Sequence, residues 1–275
     1  MTLTTHPELI QGSDEWLEQR LGLVTASVVG QLITERELTA REYDCPACGA
    51  ARGTPCISKV KAGSELKTMH AERAELARET AAVVLEPATG DVAQGLALTL
   101  AAERIYGFSY PTRMTDDMWR GVEDEPRARD KYAEHHGVTV DQVGFMTEDK
   151  WGFTLGYSPD GLVGDDGLIE IKSRRPKKQL ETVLTGEVPA ENYAQLQTGL
   201  LVSGREWIDY VSYAGGTHML TTRVYPDRVW QRVIVEAIRL AENRIRDIVS
   251  RYTDVVDAMG YPLTERILEQ EIQFS

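Results

Sequence analysis

The sequence contains no long apolar run. Nowhere do about 18 consecutive apolar residues occur, the length that a membrane-spanning helix needs, and the N-terminal residues lack the basic-then-apolar pattern of a secretory leader. Internal repeats and low-complexity tracts are also missing. With 275 residues, of which 42% are apolar, the chain can bury a sizeable core. We therefore expect a cytoplasmic protein with no membrane association, made of one large domain or of one domain with an insertion.

Cysteine is scarce: the chain has three, and all of them lie within residues 45–56. This clustering argues against a disulfide framework and favours reduced thiols or a local metal site. Cys45, Cys48, Cys56 and His70 offer three thiols and one imidazole at spacings that suit a tetrahedral zinc site. A C-x-x-C pair can also be a redox centre, but no thioredoxin-like strand precedes this one. We predict a closed, structural Zn²⁺ site in a zinc-knuckle-like module inserted over residues 35–87.

A helix should complete this module, beginning near residue 64 and continuing to about residue 85, with His70 inside it. Lys59, Lys61, Lys67 and Arg73 lie close by in the sequence. These cations would let the module contact a nucleic-acid backbone, although a solvated face explains them equally well.

Positive charge is in short supply, because 30 Lys and Arg residues face 43 Asp and Glu residues and leave a net charge of −13. Surfaces that bind phosphate backbones are normally positive, so this balance argues against nucleic-acid binding. A local basic run remains at Arg174, Arg175, Lys177 and Lys178. An acidic exterior with a basic channel would reconcile the two observations, and a solvated loop is the alternative.

Periodicity and capping residues predict most of the regular structure. Cap residues such as Ser13 and Thr115 precede amphipathic segments, and Gly22, Gly137 and Gly204 follow them. Alternating apolar residues indicate strands. The pattern predicts helices near residues 13–21, 92–106, 116–136, 189–203 and 227–250, and strands near residues 207–213 and 218–225.

The most informative stretch is residues 151–175. Alternating residues before Ser158 indicate a strand, residues 164–167 a turn, and residues 168–172 a second strand, so we expect a bent hairpin. Asp160 should approach Glu170 across it, with Glu170 and Lys172 on the solvent-side face. Two carboxylates make a hard oxygen site suited to Mg²⁺ or Mn²⁺, and Lys172 could orient water or stabilise developing negative charge. The alternative is a surface hairpin whose charges face water.

Two motifs carry a resemblance to a known family. Pro159-Asp160, followed after nine residues by Glu170-Ile171-Lys172, resembles the PD-(D/E)XK nuclease signature, and the segment resembles the phage lambda exonuclease (YqaJ-like recombinase) family. Residues 14–27, DEWLEQRLGLVTAS, resemble that family's N-terminal motif. The resemblance implies that Arg20 and Ser27 bind the 5′ phosphate of a DNA end. On the alternative view, Arg20 pairs with a surface carboxylate and Ser27 only caps a helix.

Two further motifs match the same family. Gly121 and Glu125 resemble its G-x-x-x-E segment, which implies that Glu125 is an additional acidic residue at the metal site. Pro126 interrupts the helical pattern there, so Glu123 competes for the role. Tyr193-Ala-Gln195-Leu-Gln197 resembles the aromatic-x-Gln-x-Gln motif, which implies that Gln195 orders the attacking water or the scissile phosphate. The alternative is a polar stripe on an amphipathic helix.

Together the residues and the resemblance imply an α/β fold of the PD-(D/E)XK nuclease type, with a central mixed sheet flanked by helices. The exonuclease core would comprise residues 1–34 and 88–275, interrupted by the module. One or two Mg²⁺ (or Mn²⁺) would bind Asp160, Glu170, the Ile171 carbonyl and Glu125, while Lys172 and Gln195 position water.

The implied function is Mg²⁺-dependent 5′-to-3′ digestion of linear double-stranded DNA, which leaves 3′ single strands for phage-type recombination. Two rival functions remain: a PD-(D/E)XK endonuclease and a non-catalytic protein that binds DNA ends. The resemblance further implies a ring-shaped trimer, a partner that anneals single strands, and, if the protein is phage-encoded, a location in the bacterial host cytoplasm.

Overall fold

The computed structural model describes residues 3–61, 63–109 and 114–266. Helices and strands alternate along the chain, as an α/β protein requires. In chain order the elements are β1 (Thr4–His6), α1 (Asp14–Arg20), β2 (Val24–Thr25), α2 (Ala26–Val29), β3 (Ile33–Glu37), α3 (Ala71–Thr80), β4 (Val83–Pro87), α4 (Asp91–Tyr106), α5 (Asp116–His136), β5 (Phe145–Glu148), β6 (Leu155–Tyr157), β7 (Gly161–Val163), β8 (Gly167–Ser173), α6 (Pro176–Thr185), α7 (Ala190–Ser203), β9 (Trp207–Tyr213), β10 (Leu220–Val224) and α8 (Arg228–Met259).

The strands form two mixed four-stranded sheets and one two-stranded ladder. The first sheet has the order β1-β5-β6-β2, the second β10-β9-β8-β7, and β3 pairs with β4. Strands β8 and β9 run parallel, because α6 and α7 return the chain to the same end of the sheet. The predicted α/β class is confirmed, although two four-stranded sheets take the place of the single central sheet that we expected.

The hairpin around residue 165 differs from the prediction in its first strand. Strand β8 pairs with β7, whereas β6 lies in the other sheet between β5 and β2. The three residues before Gly161 therefore connect the two sheets. Asp160 lies at this crossing point, next to the middle of β8.

Both faces of β8 are buried, which corrects the expected solvent-side face. Ile169 and Ile171 belong to an apolar cluster under α5, and Leu168 belongs to the main core on the opposite face. Glu170 lies on the same face as Leu168 and is only 2% exposed. Alternation correctly separated the two faces, but it could not show that α7 covers the polar one.

The helix around His70 is shorter than predicted. His70 is the residue that precedes α3, and the helix ends where Ala81 adopts a left-handed conformation (φ 42°). The β-branched residues Val83 and Val84 then extend into β4, which pairs with β3 from Ile33–Pro87 to Glu37–Val83. The two-stranded β3–β4 ladder thus joins the two ends of the module.

The remaining helices lie close to their predicted bounds. Ser13, Thr115 and Asp227 accept backbone hydrogen bonds at the starts of α1, α5 and α8. Helix α5 continues across Pro126, and α8 extends nine residues beyond the predicted end at residue 250, to Met259. None of the helices in the described parts of the chain is long and apolar enough to cross a bilayer.

Candidate active site

A cavity of about 240 Å³ opens where the loop before β7 meets β8, α7, α5 and α1. Three carboxylates line it, from Glu125, Asp160 and Glu170, together with Lys172 and Gln195. At one end the same cavity reaches Trp16, Arg20, Thr25 and Ser27. The structure therefore brings all the predicted acidic, lysine, glutamine and phosphate-site residues to one cavity.

Glu170 is held by three side-chain donors. Lys172 Nζ lies 2.8 Å and Gln195 Nε2 2.5 Å from Glu170 Oε1, and the Tyr157 hydroxyl donates to Oε2 over 3.1 Å. Lys172 also donates to Gln195 Oε1 over 3.0 Å. Because each of these groups is fixed by another, the carboxylate has a defined orientation in the cavity.

Asp160 is anchored against β8 by its own side chain. Its Oδ2 accepts the Ile171 N–H over 2.6 Å, and its backbone carbonyl accepts Nε of Arg129 over 2.8 Å. The N–H and C=O of a strand residue point to the same edge. The Ile171 carbonyl therefore faces the edge where Asp160 lies, beyond the last β7–β8 pair at Gly161 and Ile169.

Glu125, not Glu123, faces the cavity. Glu123 is exposed on the outer side of α5, whereas Glu125 lines the cavity and forms an ion pair with Arg129 one turn later. Burial raises the pKa of Glu125, Arg129 opposes the rise, and the charge of Glu170 adds to it. Pro126 did not move this side chain out of register.

The carboxylates repel one another in a largely buried site. Burial, and then the charges of Glu170 and Glu125, raise the pKa of Asp160 well above its usual value. Burial acts to lower the pKa of Lys172, but the charges of Glu170 and Asp160 outweigh burial, so the pKa of Lys172 is raised. Lys172 pairs with Glu170 and Arg129 with Glu125, whereas Asp160 pairs with no cation in the described parts of the chain. Carboxylate oxygens are the donors that a hard divalent cation prefers.

Arg20 has the surroundings of an anion-binding group. It contacts the hydroxyls of Thr25 and Ser27, each 3.3 Å from Nη2, and stacks on the Trp16 ring with its guanidinium carbon 4.0 Å from the centroid. Within the described residues it makes no salt bridge. Burial lowers the pKa of Arg20 to about 10, with Glu103 opposing, so the group stays cationic at neutral pH. Ser27 is exposed and does not cap α2.

Several contacting residues escaped the sequence analysis. Thr25 and Trp16 stand inside the N-terminal motif, and Arg129 follows Glu125 by four residues, a helical ion-pair spacing that could have identified it. Tyr157 and Gln11 carried no signal, because their contacts with Glu170 and with the Pro159 carbonyl depend on how distant segments meet.

The basic run after β8 is divided between structural and surface roles. The Arg174 guanidinium contacts the Tyr210 hydroxyl and Asn192, and Arg175 pairs with Asp117. Lys177 and Lys178 are exposed in the first turn of α6. The run is therefore not one continuous basic loop.

The second cluster lies in the module. One ligand atom from each of Cys45, Cys48, Cys56 and His70 falls within 4.8 Å of the others, and Cys45 Sγ lies 3.5 Å from His70 Nδ1. Amide N–H groups point at two of the sulfurs, from Ile57 to Cys48 (3.4 Å) and from His70 to Cys56 (3.5 Å). Such donors support thiolates around a metal.

Arg73 is buried inside the module, so it cannot belong to the basic surface that the sequence suggested. It is 0% exposed. Its guanidinium approaches Cys56 Sγ (3.5 Å) and donates to four backbone carbonyls, those of Arg41, Tyr43, Ala51 and Thr54. Burial opposes ionisation of Cys56, but the His70 amide and Arg73 outweigh it and lower the pKa of Cys56 to about 6.

Comparison with models of known protein families identifies the family of this chain. The model of the YqaJ-like viral recombinase domain matches residues 15–206. The chain belongs to the YqaJ-like viral recombinase family. The matched range contains every residue of the carboxylate cavity from Trp16 to Gln195, and also the whole module.

The chain is also similar to solved structures. The alkaline exonuclease LHK-Exo from Laribacter hongkongensis is 25% identical with a TM-score of 0.63, covering 90% of this chain and 100% of that one. Its complex with dAMP is 26% identical with a TM-score of 0.60, covering 88% and 100%. A phage-related exonuclease from Haemophilus somnus 129PT is 14% identical with a TM-score of 0.46, covering 59% and 85%. No curated protein matches the chain. The YqaJ-like chain is thus a hydrolytic nuclease that acts on DNA.

Proposed function

We propose that this protein is a Mg²⁺- or Mn²⁺-dependent exonuclease that digests one strand of linear double-stranded DNA from its 5′ end and leaves a 3′ single strand for recombination. The proposal rests on one observation: a single cavity has two chemically different ends. Three carboxylates with a lysine occupy one end, and Arg20, which pairs with no carboxylate in the described parts of the chain, occupies the other. The first suits cleavage, and the second suits a terminal phosphate.

Four groups of this chain would hold one or two divalent cations: the Asp160 and Glu170 carboxylates, the Ile171 carbonyl and, directly or through water, Glu125. When bound, such a cation would polarise the phosphate and stabilise the charge that develops during hydrolysis. Burial, together with the charges of Glu170 and Glu125, raises the pKa of Asp160, and these neighbouring carboxylates support the donor set. Asp160 is fixed by the Ile171 N–H, so its carboxylate needs little reorganisation to bind.

Lys172 and Gln195 would act on the water and the phosphate. Both contact Glu170 Oε1 and each other, so their donor atoms converge on one point of the cavity. From there the Lys172 ammonium can stabilise negative charge on the phosphate, and the Gln195 amide can orient the attacking water. Tyr157 holds the second oxygen of Glu170 and keeps it from rotating away.

Arg20, Ser27 and Thr25 would bind the terminal 5′ phosphate. A guanidinium presents several N–H donors, and the two hydroxyls that it now contacts can donate to phosphate oxygens as well. Binding the chain end in this way would align the adjacent phosphodiester with the carboxylates.

The direct test is incubation of linear and closed circular duplex with the protein, with and without Mg²⁺. The proposal expects loss of the linear duplex only, and only with the cation. Cutting of the closed circle would favour an endonuclease. Retention of labelled ends on the protein without degradation, at any Mg²⁺ or Mn²⁺ concentration, would favour a non-catalytic end-binding protein.

We also propose that Cys45, Cys48, Cys56 and His70 hold one structural Zn²⁺. Four protein ligands complete a tetrahedral shell and leave no open position for catalysis. The close approach of the four ligand atoms, all within 4.8 Å of one another, and the N–H donors at two sulfurs support this set. The β3–β4 ladder at the base supports treating residues 35–87 as an insertion into a core of residues 1–34 and 88–275.

Metal analysis of the purified protein tests the zinc proposal. We expect about one zinc per chain, falling in Cys48→Ser while Ser58→Ala, a change in the same module outside the ligand set, keeps it. If wild type carries no tightly bound zinc and Cys48→Ser has unchanged thermal stability, the cysteines have no metal role.

The family resemblance supports three further proposals. The active form would be a ring-shaped trimer around the duplex, it would hand its single strand to an annealing protein, and it would work in the cytoplasm of a bacterial host. Mass measurement in solution and copurification with a single-strand annealing protein test the first two.

A further inference from the structure

The N-terminal segment is tied to the loop that carries Asp160 by two side chains. The Trp16 indole N–H donates to both the Gly144 carbonyl (3.1 Å) and the Ser158 hydroxyl (3.0 Å). Gln11 Nε2 donates to the Pro159 carbonyl over 3.1 Å. These contacts join residues more than 120 positions apart in the chain, 128 for Trp16–Gly144 and 148 for Gln11–Pro159.

Trp16 contacts Arg20 as well as the loop. Residues 16 and 20 stand one helical turn apart on the same face of α1, and the Arg20 guanidinium lies 4.0 Å above the indole centroid. The rigid Trp16 ring therefore contacts Arg20, the cation of the proposed phosphate site, with its face and the Asp160 loop with its edge. An indole has only two side-chain torsions, so its two contacts cannot move independently.

The other side of the loop is fixed too. Ile171 N–H holds the Asp160 carboxylate and Arg129 holds the Asp160 carbonyl, so the loop cannot shift relative to β8 and α5 without breaking these bonds. The position of Arg20 relative to Asp160 is thus set through Trp16, Ser158 and Pro159. Among the described residues, Arg20 makes two hydrogen bonds, both to hydroxyls at 3.3 Å, which is long for an N–H···O bond.

We propose that Trp16 and Gln11 are positioning residues that fix the distance between the terminal-phosphate pocket and the Asp160–Glu170 site, and so determine which phosphodiester is cut. This rests on the proposed function. An enzyme that binds a chain end at one point and cuts at another releases a product whose length equals the spacing between them. A misplacement of about 1 Å at a reacting centre can cost on the order of 100-fold in rate.

The consequence is a change in product length, which loss of stability alone would not produce. Trp16→Phe keeps an aromatic ring under Arg20 and removes only the N–H donor, and Gln11→Met keeps the side-chain length and removes the amide donor. We expect wild type to release one predominant length from a 5′-phosphorylated duplex. The two variants combined should release a mixture of adjacent lengths and lose about threefold to tenfold of the preference for 5′ phosphate, the effect of about one hydrogen bond.

The experiment follows end-labelled and internally labelled duplex on sequencing gels, with thermal unfolding recorded for each variant. Trp151→Phe and Gln94→Met are matched controls, since Trp151 stacks on Phe153 and Gln94 contacts Thr89 and Arg244 away from the cavity. The controls should keep the wild-type product length.

The outcomes separate the two claims. Degradation by wild type with one product length, and by the double variant with the same length and the same phosphate preference, overturns the positioning role and leaves the exonuclease proposal intact. No degradation of linear duplex by wild type overturns both. A shifted or mixed product length in the double variant, at a melting temperature equal to that of the controls, supports the inference.

Discussion

The Cys/His cluster and the carboxylate cavity differ in how far apart their residues lie in the chain. The four residues of the cluster fall between residues 45 and 70, whereas the cavity draws on residues from 11 to 195. Spacing along the sequence was therefore enough to locate the first. In the second, alternation located Asp160, Glu170 and Lys172, and the remaining residues came only from motif resemblance, because several separate elements have to meet before the cavity exists.

The two sites also balance charge in different ways. In the module one buried guanidinium and amide N–H groups face the sulfurs, and the pKa of Cys56 is lowered to about 6. In the cavity, burial and the neighbouring carboxylate charges raise the pKa values of Asp160 and Glu125, opposed by Lys172 and, at Glu125, by Arg129. In the module the pKa values of Cys48 and Cys56 are lowered and that of the buried Cys45 is raised, whereas in the cavity Asp160 pairs with no cation among the described residues, and a divalent cation would relieve its charge.

The largest expected effect comes from replacing one carboxylate oxygen of Glu170 with an amide group, a change that should affect the cavity and not the module. Glu170→Gln should lower nuclease activity by about 1,000-fold, because a neutral amide replaces a carboxylate that Lys172, Gln195 and Tyr157 all contact. Zinc content should not change. Steady-state rates and metal analysis on the same preparation check this. Near-normal activity would overturn the assignment of the cavity.

The next effect is confined to the module. Arg73→Met should destabilise it by about 3 kcal/mol or more, because several carbonyls lose their donor at about 1–3 kcal/mol each. This loss of stability is measured by zinc competition and by proteolytic cleavage within residues 38–82. Arg78→Met, on the same helix in its last turn, is the control. Equal zinc affinity in both variants would contradict the organising role of Arg73.

A smaller effect, on the apparent affinity for Mg²⁺, should distinguish Glu125 from the neighbouring Glu123. Glu125→Gln should lower the apparent affinity for Mg²⁺ by about 10- to 100-fold, as lost metal-site partners typically do. Glu123→Gln, two residues away and exposed, should behave as wild type. Activity measured against Mg²⁺ concentration gives the comparison. The reverse result would mean that the α5 register in solution differs from the one described.

The sequence predicted local features well and long-range ones poorly. Helices α1 and α5 begin at Ser13 and Thr115 caps that the pattern identified. The partner of β8 was wrong, because β6 and β7 both precede it and short-range alternation cannot tell which of them turns back. Strand β4 was taken as helix, since its pairing with β3 spans a module of more than 40 residues and is invisible to periodicity.

Burial of strand β8 was the other feature that the sequence did not predict. Alternation placed Glu170 on a polar face, and only the fold shows that α7 closes that face with Gln195. This changes the variant to use: removing a solvent-exposed carboxylate by Ala would have been harmless to the fold, but Ala at a buried position would leave Lys172 and Tyr157 without their partner.

The central claim is that one cavity binds a 5′ phosphate at one end and cuts at the other. Its most direct test is a time course on a duplex with a 5′ phosphate on one strand and blocked ends elsewhere, using wild type and Arg20→Ala. Wild type should remove the phosphorylated strand and leave its complement. It should be about 10- to 100-fold slower on a 5′-hydroxyl end, and Arg20→Ala should abolish most of that difference. Equal rates on both ends with wild type, or equal slowing of both by the variant, would contradict the account.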